Sequence, residues 1–224
     1  MTFWVSVGQI ILIDILLGGD NAVVIALACR NLPAEQRRKG IFWGVFGAIT
    51  LRIVLIFFAL QLLDVPYLKI IGALLLLWIG VKLLLPEDDG HSNIEGSGSL
   101  AGAIKTIVVA DAVMSIDNVI AVASAANGSL MLVIFGILVS VPIIVWGSKL
   151  VLALMDRFPL VIVAGAGLLG WIAGEMVLGD IVLTPVVSSL PVYAKYVAAL
   201  AGALFVIAVG KALAARKKSK PTAS

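Results

Sequence analysis

The chain has 224 residues, of which 62% are hydrophobic and only 13% are charged, and its mean hydropathy is +1.16. Soluble domains are about half apolar and a quarter charged, so this composition excludes a soluble globular protein and indicates an integral membrane protein. The net charge of +3 is too small to favour nucleic acid as a partner. The single cysteine, Cys29, excludes a disulfide within one chain.

Seven apolar segments follow in chain order, each close to the ~20 residues that cross the hydrocarbon of a bilayer. They are predicted at residues 3–28, 40–63, 67–85, 100–126, 130–154, 160–178 and 192–214. Gly and Ala are scattered through these runs, which is typical of spanning helices and not of barrel strands. The one linker-like break contains His91 among acidic residues, and a solvated loop is favoured there over an accessory cation site.

Lysines and arginines predict how the spans are oriented. Most of them fall at one end of the predicted bundle: Arg30, Arg37, Arg38, Lys39, Lys82, Lys105, Lys149, Arg157, Lys211, Arg216, Lys217, Lys218 and Lys220. Lys69 and Lys195 fall at the other end, and Arg52 lies within the second span. The positive-inside rule therefore predicts a protein of the cytoplasmic membrane, with its N-terminus outside and its C-terminus in the cytoplasm.

The chain also contains an internal repeat. Three polar residues of the first span recur in the fourth at a constant offset of 97 residues, pairing Asp14, Asp20 and Asn21 with Asp111, Asp117 and Asn118. A second match, at an offset of 93 residues, relates Gly72-Ala73 of the third span to Gly165-Ala166 of the sixth. Spans one to three therefore resemble spans four to six.

Because three spans is an odd number, the second copy enters the membrane from the opposite side. The predicted fold is an all-α membrane protein with seven transmembrane helices, arranged as two inverted three-helix repeats plus one extra C-terminal helix. The predicted parts are the first repeat (1–85), a cytoplasmic linker (86–99), the second repeat (100–178), an extracytoplasmic loop with the seventh helix (179–214) and a basic cytoplasmic tail (215–224).

Four carboxylates inside apolar spans require compensation. A charged residue at the bilayer centre costs roughly 2.5–3.5 kcal/mol, so these groups need protons, a cationic side chain or a bound cation. Arg52 is the predicted counter-ion, and it can neutralise only one of the four. The remaining carboxylates indicate a site for protons or a metal ion.

Two places in the repeated motif are candidates for a helix break or an additional ligand. Asp14 and Asp20 are separated by about 240° on an ideal helix, so they do not share a face. Gly18-Gly19 is a natural place for the first helix to unwind between them. The second copy has Ser115 there, whose hydroxyl is available to a backbone carbonyl or to a ligand.

The chemistry of the candidate ligands narrows the choice of ion. Carboxylate and carboxamide oxygens suit hard divalent cations such as Mn²⁺, Ca²⁺ and Mg²⁺. No histidine lies in a predicted span and Cys29 is at a helix end, so Zn²⁺ and Cu⁺ are poor candidates. Carboxylates also carry protons, which makes metal–proton exchange chemically natural. The cation is a substrate, and no cofactor is predicted.

The motifs LGGDNAVVIAL and SIDNVIAVA, one in each half of the chain, resemble the TerC family of integral membrane proteins, most closely its short, single-domain branch of metal transport proteins. The resemblance covers residues 3–214. It implies export of divalent metal, manganese foremost, and an older association with tellurium resistance, although carboxylates repel an oxyanion such as tellurite. The metal-site residues that it implies are Asp14, Asp20, Asn21, Asp111, Asp117 and Asn118.

The sequence therefore predicts a secondary transporter, not an enzyme, that exports a hard divalent cation, Mn²⁺ most of all. A cation channel is disfavoured, because four buried carboxylates bind an ion too tightly for rapid conduction. The segment LGGD also suggests an intramembrane aspartyl hydrolase, but that chemistry needs a single Asp pair that shares a proton. A metal-supplying partner of secreted proteins is compatible with transport.

Overall fold

The computed structural model describes residues 20–58, 65–85, 99–125 and 130–218, together with Gly8 and Leu62. Within these ranges the regular structure is entirely helical. The helices are α1 (Asp20–Cys29), α2 (Ala34–Phe57), α3 (Leu68–Leu84), α4 (Leu100–Ala125), α5 (Leu130–Arg157), α6 (Pro159–Leu178) and α7 (Ala194–Lys218). A 3-10 turn, Ile181–Leu183, and a short helix, Thr184–Val187, lie between α6 and α7.

Four segments of the described chain are long and apolar enough to cross a membrane: Ala34–Phe57, Ile134–Arg157, Pro159–Leu178 and Ala194–Lys217. Together with the absence of strands from the described ranges, they confirm the predicted all-α membrane class. The count of seven spans and the inversion of the repeat stay predictions.

Several helix boundaries differ from those predicted from the sequence. α2 ends at Phe57 and not at residue 63, and α5 ends at Arg157 and not at residue 154. α2 begins at Ala34 and not at residue 40. The carbonyl of Pro33, its N-cap residue, accepts the backbone N–H of Arg37 at 2.9 Å, which is the first hydrogen bond of the helix. α7 continues to Lys218, so the first residues of the predicted tail are helical. At the start of α2 and at the end of α7, charged residues extend the helix beyond its apolar part, and hydropathy locates only that apolar part.

The helix ends define two ends of the bundle. At one end, α2 begins beside the end of α5, where Arg37 pairs with Asp156 at 3.2 Å, and Leu84 of α3 contacts Gly210 of α7. We call this the basic end, after the described residues that lie near it: Arg30, Arg37, Arg38, Lys39, Lys82, Lys105, Lys149, Arg157 and Lys211. At the opposite end, Asp180 follows α6 and meets the start of α3.

Small residues hold part of the bundle in very close contact. Gly170 and Gly174 of α6 face Gly202 and Ala198 of α7, so near that a methyl group added at Gly170, Gly174 or Gly202 would overlap the backbone of the other helix. Helices in a membrane associate by such close packing, because lipid supplies no hydrophobic force between them. α3 packs on α6, whereas α1, α2, α4 and α5 surround a small internal cavity.

Candidate metal centre

The internal cavity has a volume of about 20 Å³. Its wall is mostly aliphatic and includes Ile137 of α5, but it also carries Asn21 of α1, Arg52 of α2 and Asp111 of α4. A space of this size holds one water molecule or one small ion. The cavity therefore has room for an ion.

Arg52 and Asp111 form a buried ion pair beside this cavity. Nη2 of Arg52 donates to Oδ1 of Asp111 at 2.5 Å, and their side chains are only 6% and 8% exposed. Ser115, one helical turn after Asp111, connects the two residues. Its Oγ accepts from Nε of Arg52 at 3.1 Å and donates to Oδ2 of Asp111 at 3.4 Å. A buried charge persists where an opposite charge and hydrogen bonds compensate it, and these three side chains meet that condition.

Asn21 lines the same cavity, but its side-chain amide lacks hydrogen bonds of this kind. The residue is 3% exposed, and neither Oδ1 nor Nδ2 of its side chain has a hydrogen-bond partner among the described residues. Leaving a buried polar group unpaired costs about 1–3 kcal/mol, so such groups are uncommon without a reason. An unpaired amide in an ion-sized cavity indicates a position for a ligand.

Asp20 is the first described residue of α1 and directly precedes Asn21 in the chain. Its Oδ1 accepts the backbone N–H of Asn21 at 2.9 Å, and the charges of Arg52 and Asp111 both act on its carboxylate. The structure thus brings together three of the predicted metal-site residues: Asp20, Asn21 and Asp111. The predicted counter-ion, Arg52, lies near them.

The other predicted site residues are placed only in part. Asp14, Gly18 and Gly19 lie outside the described residues, and Asp117 and Asn118 lie on α4 but their side chains are not described. Within the described part of the chain, no three His, Cys, Asp or Glu residues come close enough to hold a metal ion. The described residues therefore supply one part of the predicted ligand set.

Ser115 does not mark a break in its helix. α4 runs without interruption from Leu100 to Ala125. The Ser115 hydroxyl contacts the side chains of Arg52 and Asp111. One of its predicted roles was a hydrogen bond to a backbone carbonyl, and among the described residues it does not make that bond. Because it contacts Asp111, which lines the cavity, it stays a candidate ligand.

A second buried carboxylate, Asp180, was missed by sequence reasoning. It is 1% exposed and accepts four backbone N–H groups, from Tyr67, Lys69 and Ile70 at 3.1–3.3 Å and from Val182 at 3.0 Å. Burial opposes its ionisation, but these four donors outweigh that effect and hold the pKa of Asp180 below its usual value. The sequence pattern that could have identified Asp180 is an Asp directly before a helical turn, which is common at N-cap positions.

Comparisons with known proteins give the family. The chain matches the family model described as "Integral membrane protein TerC family" over residues 1–219. It is 48% identical over 178 residues to the uncharacterized membrane protein YjbE of Bacillus subtilis (strain 168), a match that covers 80% of this chain and 81% of the relative. It is 27% identical over 165 residues to the uncharacterized membrane protein YceF of the same strain, covering 70% of this chain and 64% of that relative. No solved structure matches the chain.

Proposed function

Because the chain belongs to the TerC family of integral membrane proteins, we propose that it is a secondary transporter that exports a hard divalent cation, Mn²⁺ foremost, across the cytoplasmic membrane. The observation that carries this proposal is the buried, unpaired amide of Asn21 beside the Arg52–Asp111 ion pair, in a cavity of about 20 Å³. Amide, carboxylate and hydroxyl oxygens are the ligands that hard cations prefer. Asp14, Asp117 and Asn118 complete the proposed ligand set.

In this mechanism Arg52 compensates Asp111 whenever no metal is bound. A divalent cation that enters the cavity repels the guanidinium and takes its place at Asp111, while Asn21 offers a neutral oxygen. Exchanging one positive partner for another keeps the buried carboxylate compensated throughout the cycle. Protons released from the ligands on metal binding supply the proposed exchange.

The repeat supports a site shared between two inverted halves. Gly72 lets α3 approach Val113 of α4, and Gly165, its counterpart in the repeat, lets α6 approach Val23 of α1. Because α1 and α4 are also counterparts, the same kind of contact occurs twice with the halves exchanged. Val23 and Val113 are not themselves repeat counterparts, so the correspondence holds for whole helices. It supports the proposed inverted repeat, and inverted-repeat transporters build their sites where the two halves meet.

The basic end is the proposed cytoplasmic end, which places the N-terminus outside and the C-terminus inside. A reporter enzyme fused after Ser224 should be active only in the cytoplasm. Periplasmic activity of the same fusion would refute this orientation.

The geometry disfavours the alternative functions. An aspartyl hydrolase requires two carboxyl groups that share a proton, whereas Asp111 faces a guanidinium. A channel requires weak binding along an open path, whereas the cavity at Asp111 is small and mostly aliphatic. Neither observation favours a second candidate function.

Transport into inverted membrane vesicles tests the proposal. Vesicles that contain the wild-type protein should accumulate Mn²⁺ but not Zn²⁺, and Asp111→Asn should lose most of this uptake. Asp156→Asn is the matched control, because Asp156 is an aspartate with a side chain 58% exposed at the basic end. It should transport normally.

A double variant separates transport from folding. Asp111→Asn alone removes the buried negative charge that pairs with Arg52, which lowers stability. Arg52→Gln combined with Asp111→Asn removes both charges, so abundance should recover while Mn²⁺ uptake stays low. Normal Mn²⁺ uptake by Asp111→Asn at normal abundance would show that the proposal is wrong.

A further inference from the structure

A second cavity, of about 440 Å³, opens between α3 and α4 near the basic end. It shares no lining residue with the internal cavity. From Lys82 at its mouth to Leu75 at its floor it follows α3 for about 10 Å, at ~1.5 Å per residue. We call this space the α3–α4 groove.

The mouth of the groove carries positive charge. Lys82 of α3 and Lys105 of α4 both line it, and no carboxylate is among its lining residues. Nζ of Lys82 lies 5.0 Å from the centre of the Trp78 ring, so this ammonium group is held at the groove. Neither lysine forms an ion pair with a described carboxylate. Among the described residues, therefore, no carboxylate neutralises the two ammonium groups that line the groove.

The floor of the groove is apolar. Three apolar residues line it closer to the middle of the membrane than the two lysines do: Leu75 and Ile79 of α3 and Val109 of α4. The groove thus has two cations at the membrane surface and an apolar part beneath them. This arrangement complements a phospholipid, whose phosphate lies at the surface and whose acyl chains extend inward. An acidic peptide would match the lysines but would place polar backbone against this floor.

We propose that the α3–α4 groove binds an anionic phospholipid, with its phosphate between Lys82 and Lys105 and one acyl chain along Leu75, Ile79 and Val109. The site is independent of the proposed metal centre, and it rests on the chain being an integral membrane protein. Basic pockets between transmembrane helices are suited to acidic head groups in this way.

Quenching of Trp78 by brominated lipid tests this proposal. The full-length protein is reconstituted in vesicles that contain brominated phosphatidylglycerol or brominated phosphatidylcholine, and the Trp78→Phe variant identifies the share of the signal that comes from Trp78. Half-maximal quenching of Trp78 should need about a tenfold lower mole fraction of phosphatidylglycerol than of phosphatidylcholine.

Charge variants assign the preference to the groove. Lys82→Gln with Lys105→Gln should abolish the preference for phosphatidylglycerol. Lys149→Gln with Lys211→Gln is the matched control, because these exposed lysines lie near the same end but do not line the groove. It should leave the preference unchanged. An equal loss in both double variants would mean that only general surface charge attracts the lipid, and would overturn the proposal.

Two further arms distinguish other occupants. Inorganic phosphate at millimolar concentration should not compete with the lipid; if it removes the preference entirely, the site binds free phosphate and the proposal is wrong. The acidic stretch of residues 86–98 is the other rival. If a lipid preference arises only after Glu87, Asp88, Asp89 and Glu95 are neutralised, that stretch occupies the groove and the lipid does not.

Discussion

The two buried carboxylates that the structure describes in most detail are compensated by different kinds of partner. Asp180 accepts four backbone N–H groups, which the start of α3 and the following turn hold in place. Asp111 is bound by the side chains of Arg52 and Ser115. The backbone donors cannot leave Asp180 unless the start of α3 unfolds. The side chains can rotate away from Asp111.

This difference separates a carboxylate with a structural role from the carboxylate of the proposed metal site. Fixed donors make Asp180 a structural connection between α3 and the segment after α6. Side-chain donors, an adjacent ion-sized cavity and the unpaired amide of Asn21 support the proposal that a cation replaces Arg52 at Asp111. The identity and mobility of the partners separate the two roles.

The largest expected effect comes from removing the exchangeable cation. Arg52→Ala leaves Asp111 buried without its partner, and breaking a buried pair in this way costs about 3–5 kcal/mol. Protein abundance and Mn²⁺ export should both fall, and Arg52→Lys should restore part of each. Abundance is measured by immunoblot of membranes, and thermal unfolding is measured in detergent. If Arg52→Ala is as abundant and active as wild type, Arg52 is not the counter-ion.

The next effect concerns the fixed carboxylate. Asp180→Ala leaves the backbone donors of Tyr67, Lys69 and Ile70 without their acceptor, and should lower the free energy of unfolding by about 2–3 kcal/mol. Transport per folded molecule should be unchanged. Glu175→Gln, an exposed carboxylate on α6, is the matched control and should be neutral. If Asp180→Ala instead keeps its stability and loses transport, the two carboxylates do not differ as described.

A smaller effect is expected at the unpaired amide. Asn21→Ala removes one neutral ligand but no charge, so Mn²⁺ transport should fall several-fold, mainly through a higher KM. Thermal stability should stay equal or rise slightly, because an unsatisfied buried amide is removed. Asn31→Ala, at an exposed asparagine in the turn after α1, should change neither property. Unaltered transport by Asn21→Ala would exclude the amide as a ligand.

The smallest expected effect is the pH dependence of the Asp180 contribution. Because the folded-state pKa of Asp180 is lowered, its stabilisation is fully present above the unfolded pKa of about 3.9 and is lost as the pH falls through the folded value. The stability difference between wild type and Asp180→Asn should therefore be constant from about pH 8 to pH 5 and shrink only below about pH 4. Thermal unfolding of both proteins across this range measures it. A difference that disappears near pH 6 would mean that the pKa is raised.

The sequence predicted the helical class and several residues of the candidate site, because polar groups inside long apolar runs are conspicuous. Asn21, Arg52 and Asp111 were each chosen for that reason, and all three line one cavity. Which carboxylate Arg52 contacts was not predictable. The choice depends on how α2 packs against α4, and periodicity carries no information on the rotation of one helix relative to another.

Helix ends and Asp180 were harder to predict for different physical reasons. Hydropathy detects the part of a helix inside the membrane, but residues such as Arg37 and Lys217 continue the helix in water, where polarity costs little. Asp180 has most of its partners at the start of α3, in a distant part of the sequence. A local pattern can suggest an N-cap for the turn that follows, but it cannot reveal that the same oxygens serve another helix.

The position of Asp180 also has a consequence for the order of events during synthesis. Tyr67 and Asp180 are 113 residues apart, and a ribosome that adds about 5–20 residues per second reaches Asp180 roughly 5–20 s after Tyr67. Throughout that interval the backbone N–H groups of Tyr67, Lys69 and Ile70 lack the acceptor that they have in the folded protein. The first half of the protein therefore cannot complete these hydrogen bonds until most of the chain has been synthesised.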